Sequence, residues 1–93
     1  MKQHMKQQFK PYFNKQKFAQ VLARCNKAEL ARSSEKFTGI KIGLSTIQQM
    51  SQQLADNPQL ITLVVILFTI NSIYKDNHTV NDFIEFEKID LIS

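Results

Sequence analysis

The chain has 93 residues and a mass of 10.8 kDa, with 43% hydrophobic, 22% charged and 10% aromatic residues. That is room for one domain and no second core, because a chain this short buries only about 60–65% of its unfolded surface. The balance is that of a globular protein rather than a disordered one. Only two glycines are present, few for a fold built on many tight turns, so the composition leans helical. Net charge is +4, and the pI near 9.4 is basic enough to suit a polyanionic partner.

The charge is unevenly placed. Residues 1–41 carry Lys2, Lys6, Lys10, Lys15, Lys17, Arg24, Lys27, Arg32, Lys36 and Lys41 against Glu29 and Glu35. Residues 42–93 carry Lys75 and Lys88 against Asp56, Asp76, Asp82, Glu85, Glu87 and Asp90. A basic half joined to an acidic half separates contact with a polyanion from some other task; a lysine-rich solvated surface accounts for the same charges.

Several classes of chemistry find no support. Cys25 is the single cysteine, so neither an internal disulfide nor a cysteine-based zinc site can form, and its place on an apolar stripe makes it a core residue. His4 and His78 lie far apart with no metal-binding spacing, and no phosphate loop or nucleophile elbow occurs. The sequence therefore predicts no enzyme, metal, cofactor or small-molecule substrate. The basic N-terminus is not followed by an apolar stretch, so it does not read as a secretory signal. Leu60–Ile70 is the most hydrophobic run and is shorter than the roughly 20 residues a membrane span requires. A cytoplasmic protein without a membrane segment is expected.

In chain order, residues 1–13 form a basic arm set off by Pro11, either free or docked as a short helix through Met1, Met5, Phe9 and Tyr12. Residues 14–93 form the domain. Asn14 precedes Phe18, Val21, Leu22 and Cys25 at helical spacing, predicting a helix over 15–25. Asn26 with Glu29 starts a second over 27–36, and Ser45 with Gln48 a third over 46–55. Asn57-Pro58 opens a fourth over 58–71, and Thr79 with Asp82 a fifth over 80–90. The fourth is apolar nearly all round, so Leu60, Leu63, Val64 and Leu67 on one side and Ile61, Val65 and Phe68 on another both need cover, the second set from another subunit. A buried strand would suit its β-branched residues as well.

The third helix carries the most specific pattern. Leu44, Ile47, Met50 and Leu54 share one face, while Thr46, Gln48, Gln49, Gln52 and Gln53 share the other, with Ser45 at the start. An exposed face of amides and hydroxyls without a charge suits base recognition, since Gln bonds adenine bidentately and Ser or Thr reaches bases or phosphates. A helix start also favours a phosphate. A merely polar surface in a chain with ten glutamines is the plain alternative.

Asn26-Lys-Ala-Glu-Leu-Ala31 resembles the second helix of the Cro/C1-type (Xre-like) helix-turn-helix repressors, and Ser45-Thr-Ile-Gln-Gln resembles the start of their recognition helix. The polar link at Asn57-Pro58, the apolar fourth helix and Thr79-Val-Asn-Asp-Phe-Ile84 follow in similar order, so the resemblance spans about 15–86. It implies an all-α, five-helix, lambda-repressor-like domain that binds double-stranded DNA as a homodimeric regulator. Ser45, Thr46 and Gln49 would read bases, joined by Gln48 and Gln52; Asn26 and Lys27 would contact phosphates. Lys15, Lys17, Lys36 and Lys41 are further phosphate candidates, because the third helix holds no cation and phosphate neutralisation supplies most affinity. The last two helices would form the dimer interface through Ile61, Val65, Phe68, Phe83 and Phe86, with recognition helices about 34 Å apart.

Two departures from the family pattern stand out. Phe37–Leu44 is longer than the family's turn, long enough for a short strand. Residues 72–80 could form a short hairpin around Asp76-Asn77. A competing reading makes the chain a helical protein-interaction module, such as an immunity protein, antitoxin or phage-encoded inhibitor. A third makes it a membrane-associated peptide built on residues 60–73.

Overall fold

The computed structural model describes residues 7–90 of the chain. Strand β1 (Gln7–Phe13) leads into four helices, α1 (Lys15–Ala23), α2 (Lys27–Thr38), α3 (Leu44–Ser51) and α4 (Leu60–Tyr74). A 3-10 turn (Val80–Phe83) then delivers the chain into strand β2 (Ile84–Asp90). The two strands pair antiparallel along their whole length, from Phe13 opposite Ile84 to Gln7 opposite Asp90. The described chain is thus a four-helix body with a two-stranded ribbon made from its two outer segments. Its extents are 57 × 22 × 20 Å, and its radius of gyration is 16.6 Å, against about 12 Å for a compact chain of this length.

Local chemistry sets the helix starts. Asn14 Oδ1 accepts from the Lys17 N–H at 2.9 Å, and Asn26 Oδ1 accepts from the Glu29 N–H at 2.9 Å, each satisfying a donor that the first turn leaves open. Gly39 ends α2 at φ +80°, a left-handed conformation that costs glycine little, with its N–H on the Glu35 carbonyl. The link to α3 is pinned by Ser34, which is buried: its Oγ donates to the Ala31 carbonyl and accepts from the Ile42 N–H at 2.9 Å. Ile42 then enters the core.

The core joins every layer. Phe18, Val21 and Leu22 of α1, Leu30 of α2, Ile47 and Met50 of α3, and Leu63, Val65, Ile66, Leu67 and Ile70 of α4 form one cluster. α4 packs on α2, and α3 lies against both α1 and α2. Phe83 closes the cluster with its ring edge-on to Phe18 at 5.1 Å, and Phe13 meets Phe18 at 5.5 Å. The ribbon is therefore rooted in the helical core at its inner end. Asn14 doubles as the joint: its N–H donates to the Phe83 carbonyl and its Nδ2 to Glu85 Oε2, both at 2.8 Å.

These elements correct the all-α five-helix expectation. Residues 84–90, expected as the bulk of a fifth helix, are a strand, and Gln7–Phe13 of the expected basic arm is its partner. The physical reason is legible afterwards: Ile84-Glu85-Phe86-Glu87 and Phe9-Lys10-Pro11-Tyr12-Phe13 alternate apolar with polar or amphipathic residues, the period of a strand with one face covered. Met1 and Met5, proposed for a docked arm helix, lie outside the described residues. No hairpin forms at 72–80. α4 runs on to Tyr74 and ends at Lys75 (φ +60°), and Asn71 clasps the His78 backbone through two bonds of 2.9 Å. The 37–44 link holds no strand, because α2 extends to Thr38. α3 begins at Leu44 behind Gly43, without the Ser45 cap, and α4 begins after Gln59 rather than at Pro58.

Candidate nucleic-acid interface

α3 is short, and its burial is one-sided. Ile47 and Met50 are in the core, whereas Ser45, Thr46, Gln48, Gln49 and Gln52 are all exposed. The five proposed base readers therefore share the outward side of one helix and its C-terminal cap. Among the described residues none of their side chains donates to or accepts from another side chain. The helix closes with Gln53 at φ +61° and the Leu54 N–H on the Gln49 carbonyl at 2.9 Å.

The N-terminus of α3 opens onto a groove. Gly43 brings no side chain to the cap, so no side-chain cap bond meets the first amides of the helix. A cavity of about 570 Å³ lies there between α2 and the start of α3, lined by Ala28, Ala31, Arg32, Glu35, Lys41, Ile42, Gly43 and Leu44. The two alanines keep its α2 wall low. Arg32 and Lys41 set two cations against one carboxylate beside these amides, a combination that suits a phosphate. Lys41 is among the phosphate candidates of the sequence; Arg32 is not, although its place five residues after Lys27 beside Ala28 and Ala31 is the signal that marks it.

The remaining candidates are partly committed elsewhere. Asn26 uses its Oδ1 to cap α2 and its N–H to donate to Tyr74 Oη at 2.8 Å, so only its amide nitrogen is free for a phosphate. Lys27 opens α2 beside it and is half-buried. Lys15 forms an ion pair with Asp56 at the surface. Lys17 lies with its Nζ 5.9 Å from the Phe83 ring, and Lys36 likewise 5.9 Å from Phe37. Lys17 also borders a second cavity, of about 510 Å³, with Gln20, Arg24, His78 and Asp82. His78 Nε2 is buried and has no hydrogen-bond partner among the described residues, 3.4 Å from Asp76.

The five proposed dimer residues do not share a surface. Val65 and Phe83, 2% and 1% exposed, are core side chains; Val65 lies at the floor of the cavity beside Ile61 and Phe68, and the 3-10 turn aims Phe83 at Phe18. Ile61 and Phe68, 51% and 53% exposed, do lie outside, with Val64, Phe37 and Ile40 around a shallow cavity of about 310 Å³. Phe86 is exposed as well, on the ribbon. Cys25 is half-buried and its Sγ donates to the Val21 carbonyl at 3.3 Å; burial pushes its thiol pKa up, away from the thiolate.

Among the described residues there is no cluster of three or more metal-binding side chains, and no helix is long and apolar enough to cross a membrane. Compared with protein-family models, curated proteins and solved structures, the chain matches none.

Proposed function

We propose that the protein binds double-stranded DNA sequence-specifically, as a small homodimeric regulator of the repressor type working in the cytoplasm, with α3 as the reading helix. The observation that carries this reading is the outward face of α3, where Ser45, Thr46, Gln48, Gln49 and Gln52 stand exposed, their side chains making no hydrogen bond among the described residues. Such a face offers donors and acceptors to base edges and nothing to a polyanion's charge. Attachment falls to the groove at its N-terminus, where Arg32 and Lys41 flank amides without a side-chain cap, and to Lys27 and the amide of Asn26. The resemblance of 26–31 and 45–49 to helix-turn-helix repressors supports the same assignment.

The test is titration of labelled duplex, beginning with DNA flanking the protein's own coding sequence, at several salt concentrations. Affinity should fall steeply as salt rises, and Gln49→Ala should lose about 1–3 kcal/mol on one sequence while sparing others. Arg32→Gln and Lys41→Gln should weaken all sequences alike and flatten the salt slope. Absence of binding at low salt overturns the reading.

A second reading, a module that binds a protein partner, draws on the uncharged patch of Phe37, Ile40, Ile61, Val64 and Phe68. It expects a stoichiometric protein complex that is lost in Phe68→Glu and indifferent to DNA.

A further inference from the structure

α3 is lightly held for a helix that is to read bases. It has 8 residues and buries two side chains, Ile47 and Met50, close to one line along its axis. Two contacts along one line keep a helix in place but leave it able to roll about that line. A roll of about 15° moves side-chain tips 5–6 Å from the axis through about 1.5 Å, enough to break a hydrogen bond. A face that reads base edges by paired hydrogen bonds therefore needs a third point of support. The C-terminal side supplies little: Leu54 is 65% exposed, Ala55 is partly buried, and the Lys15–Asp56 pair lies at the surface, where such a pair holds weakly.

The N-terminal side is held from α2. Two hydroxyls one turn apart on α2, those of Ser34 and Thr38, take alternate amides of the link. Thr38 Oγ1 donates to the Ser34 carbonyl and accepts from the Ile40 N–H at 3.1 Å. Ser34 Oγ donates to the Ala31 carbonyl at 3.1 Å and accepts from the Ile42 N–H at 2.9 Å. Ser34 is 1% exposed and Ile42 7%, so water does not replace the bond between them. A serine in mid-helix gains nothing for α2 itself, where alanine is the better helix former. The bond ties the middle of α2 to the residue just before Gly43, where α3 starts. Lys41 and Gly43 flank Ile42, and Arg32 lies two residues before Ser34, so the same bond spans the groove between the two helices.

We propose that Ser34 is the positioning residue of α3: through Ile42 it fixes the roll of α3 against α2, and with it where Thr46, Gln48 and Gln49 stand relative to Arg32 and Lys41. The effect on DNA rests on the α3 reading; the geometry is measured without DNA, so the two can fail separately.

Residual dipolar couplings of the isotope-labelled full chain, free of DNA, report the orientation of α3. Ser34→Ala should roll α3 against α2 by about 15° and quicken amide exchange at Ile42, with the angle between α1 and α4 unchanged. Thr38→Val, which keeps the shape and loses the hydroxyl, should do the same to a smaller extent, and Thr38→Ser should not. An unmoved α3 in both Ser34→Ala and Thr38→Val overturns the proposal, whether or not the chain binds DNA.

The second arm uses a duplex that the wild type selects from a randomised pool and a scrambled duplex of the same composition, titrated well below each variant's melting temperature. Ser34→Ala should lower the ratio of the two affinities ~10-fold, as loss of one paired base contact does. The salt slope should stay unchanged, since no phosphate contact is removed. Equal losses on both duplexes are what destabilisation alone would give and overturn the positioning role. A wild type that selects no duplex overturns the α3 reading, and the roll of α3 in the free protein then decides the role of Ser34 by itself.

Discussion

α3 and the ribbon each leave one side uncovered, and the two uncovered sides differ in kind. The outer side of α3 is made of amides and hydroxyls, groups that water satisfies fully; nothing in folding requires that side to be covered. The ribbon face is made of Phe9, Pro11 and Phe86, which gain by leaving water. A polar open face selects a ligand by hydrogen-bond pattern, whereas an apolar one selects by shape and burial. The two surfaces suit different partners and are separable by mutation.

The body and ribbon also differ in what holds them, and three changes sharpen that contrast. The largest effect is expected from Phe83→Ala. The side chain is buried where α1, α4 and the ribbon root converge, so its loss should cost about 3–5 kcal/mol and lower the denaturation midpoints of helix and ribbon together. Separate transitions for the two would show that the ribbon does not share the core.

A smaller effect should come from Asn26→Ala, which removes the cap of α2 at a cost of about 1 kcal/mol. That loss belongs to the body alone; amide exchange should quicken in α2 and stay unchanged in β1 and β2.

The smallest belongs to the ribbon. Bonds from Asn14 and then Tyr12 hold the Glu85 carboxyl below its usual value of 4.5, and the bond to Glu85 raises the Tyr12 phenol above 10.0. The unfolded chain binds a proton at Glu85 before the folded one does, so this contribution is complete above the ordinary glutamate range and fades as pH falls through the depressed value. Thermal melts from pH 6 down to pH 3 should lose ribbon stability in that window, and Glu85→Gln should flatten the loss. The same variant should return the Tyr12 phenol titration, followed by ultraviolet absorbance, toward its ordinary value.

The helices were legible because their signals are local. Asn14 and Asn26 cap as their positions imply, and the 3-4 spacing of Phe18, Val21, Leu22 and Ile47, Met50 marks the inward faces. The exposed side of α3 followed from the same spacing. The strands escaped because a two-residue alternation over five or six residues is a weak signal beside a good cap at Thr79, and that cap does form, on a 3-10 turn rather than a helix. Of the proposed dimer residues Ile61, Phe68 and Phe86 are exposed while Val65 is buried, because on a helix as apolar as α4 periodicity does not tell which side meets its own domain.

Composition and hydrophobic spacing thus determined four helices, with the caps of the first two, the inward faces of α1 and α3 and an uncharged polar side on the third. Each of these depends on residues within a turn or two of one another. Only the tertiary structure decided that the basic and acidic ends of the chain lie side by side, Lys10 opposite Glu87, because strand pairing depends on a partner at the far end of the sequence. It also decided which apolar residues remain outside. Burial is a property of the whole packed chain, so Phe83 and Phe86, three residues apart, end with one in the core and the other in solvent.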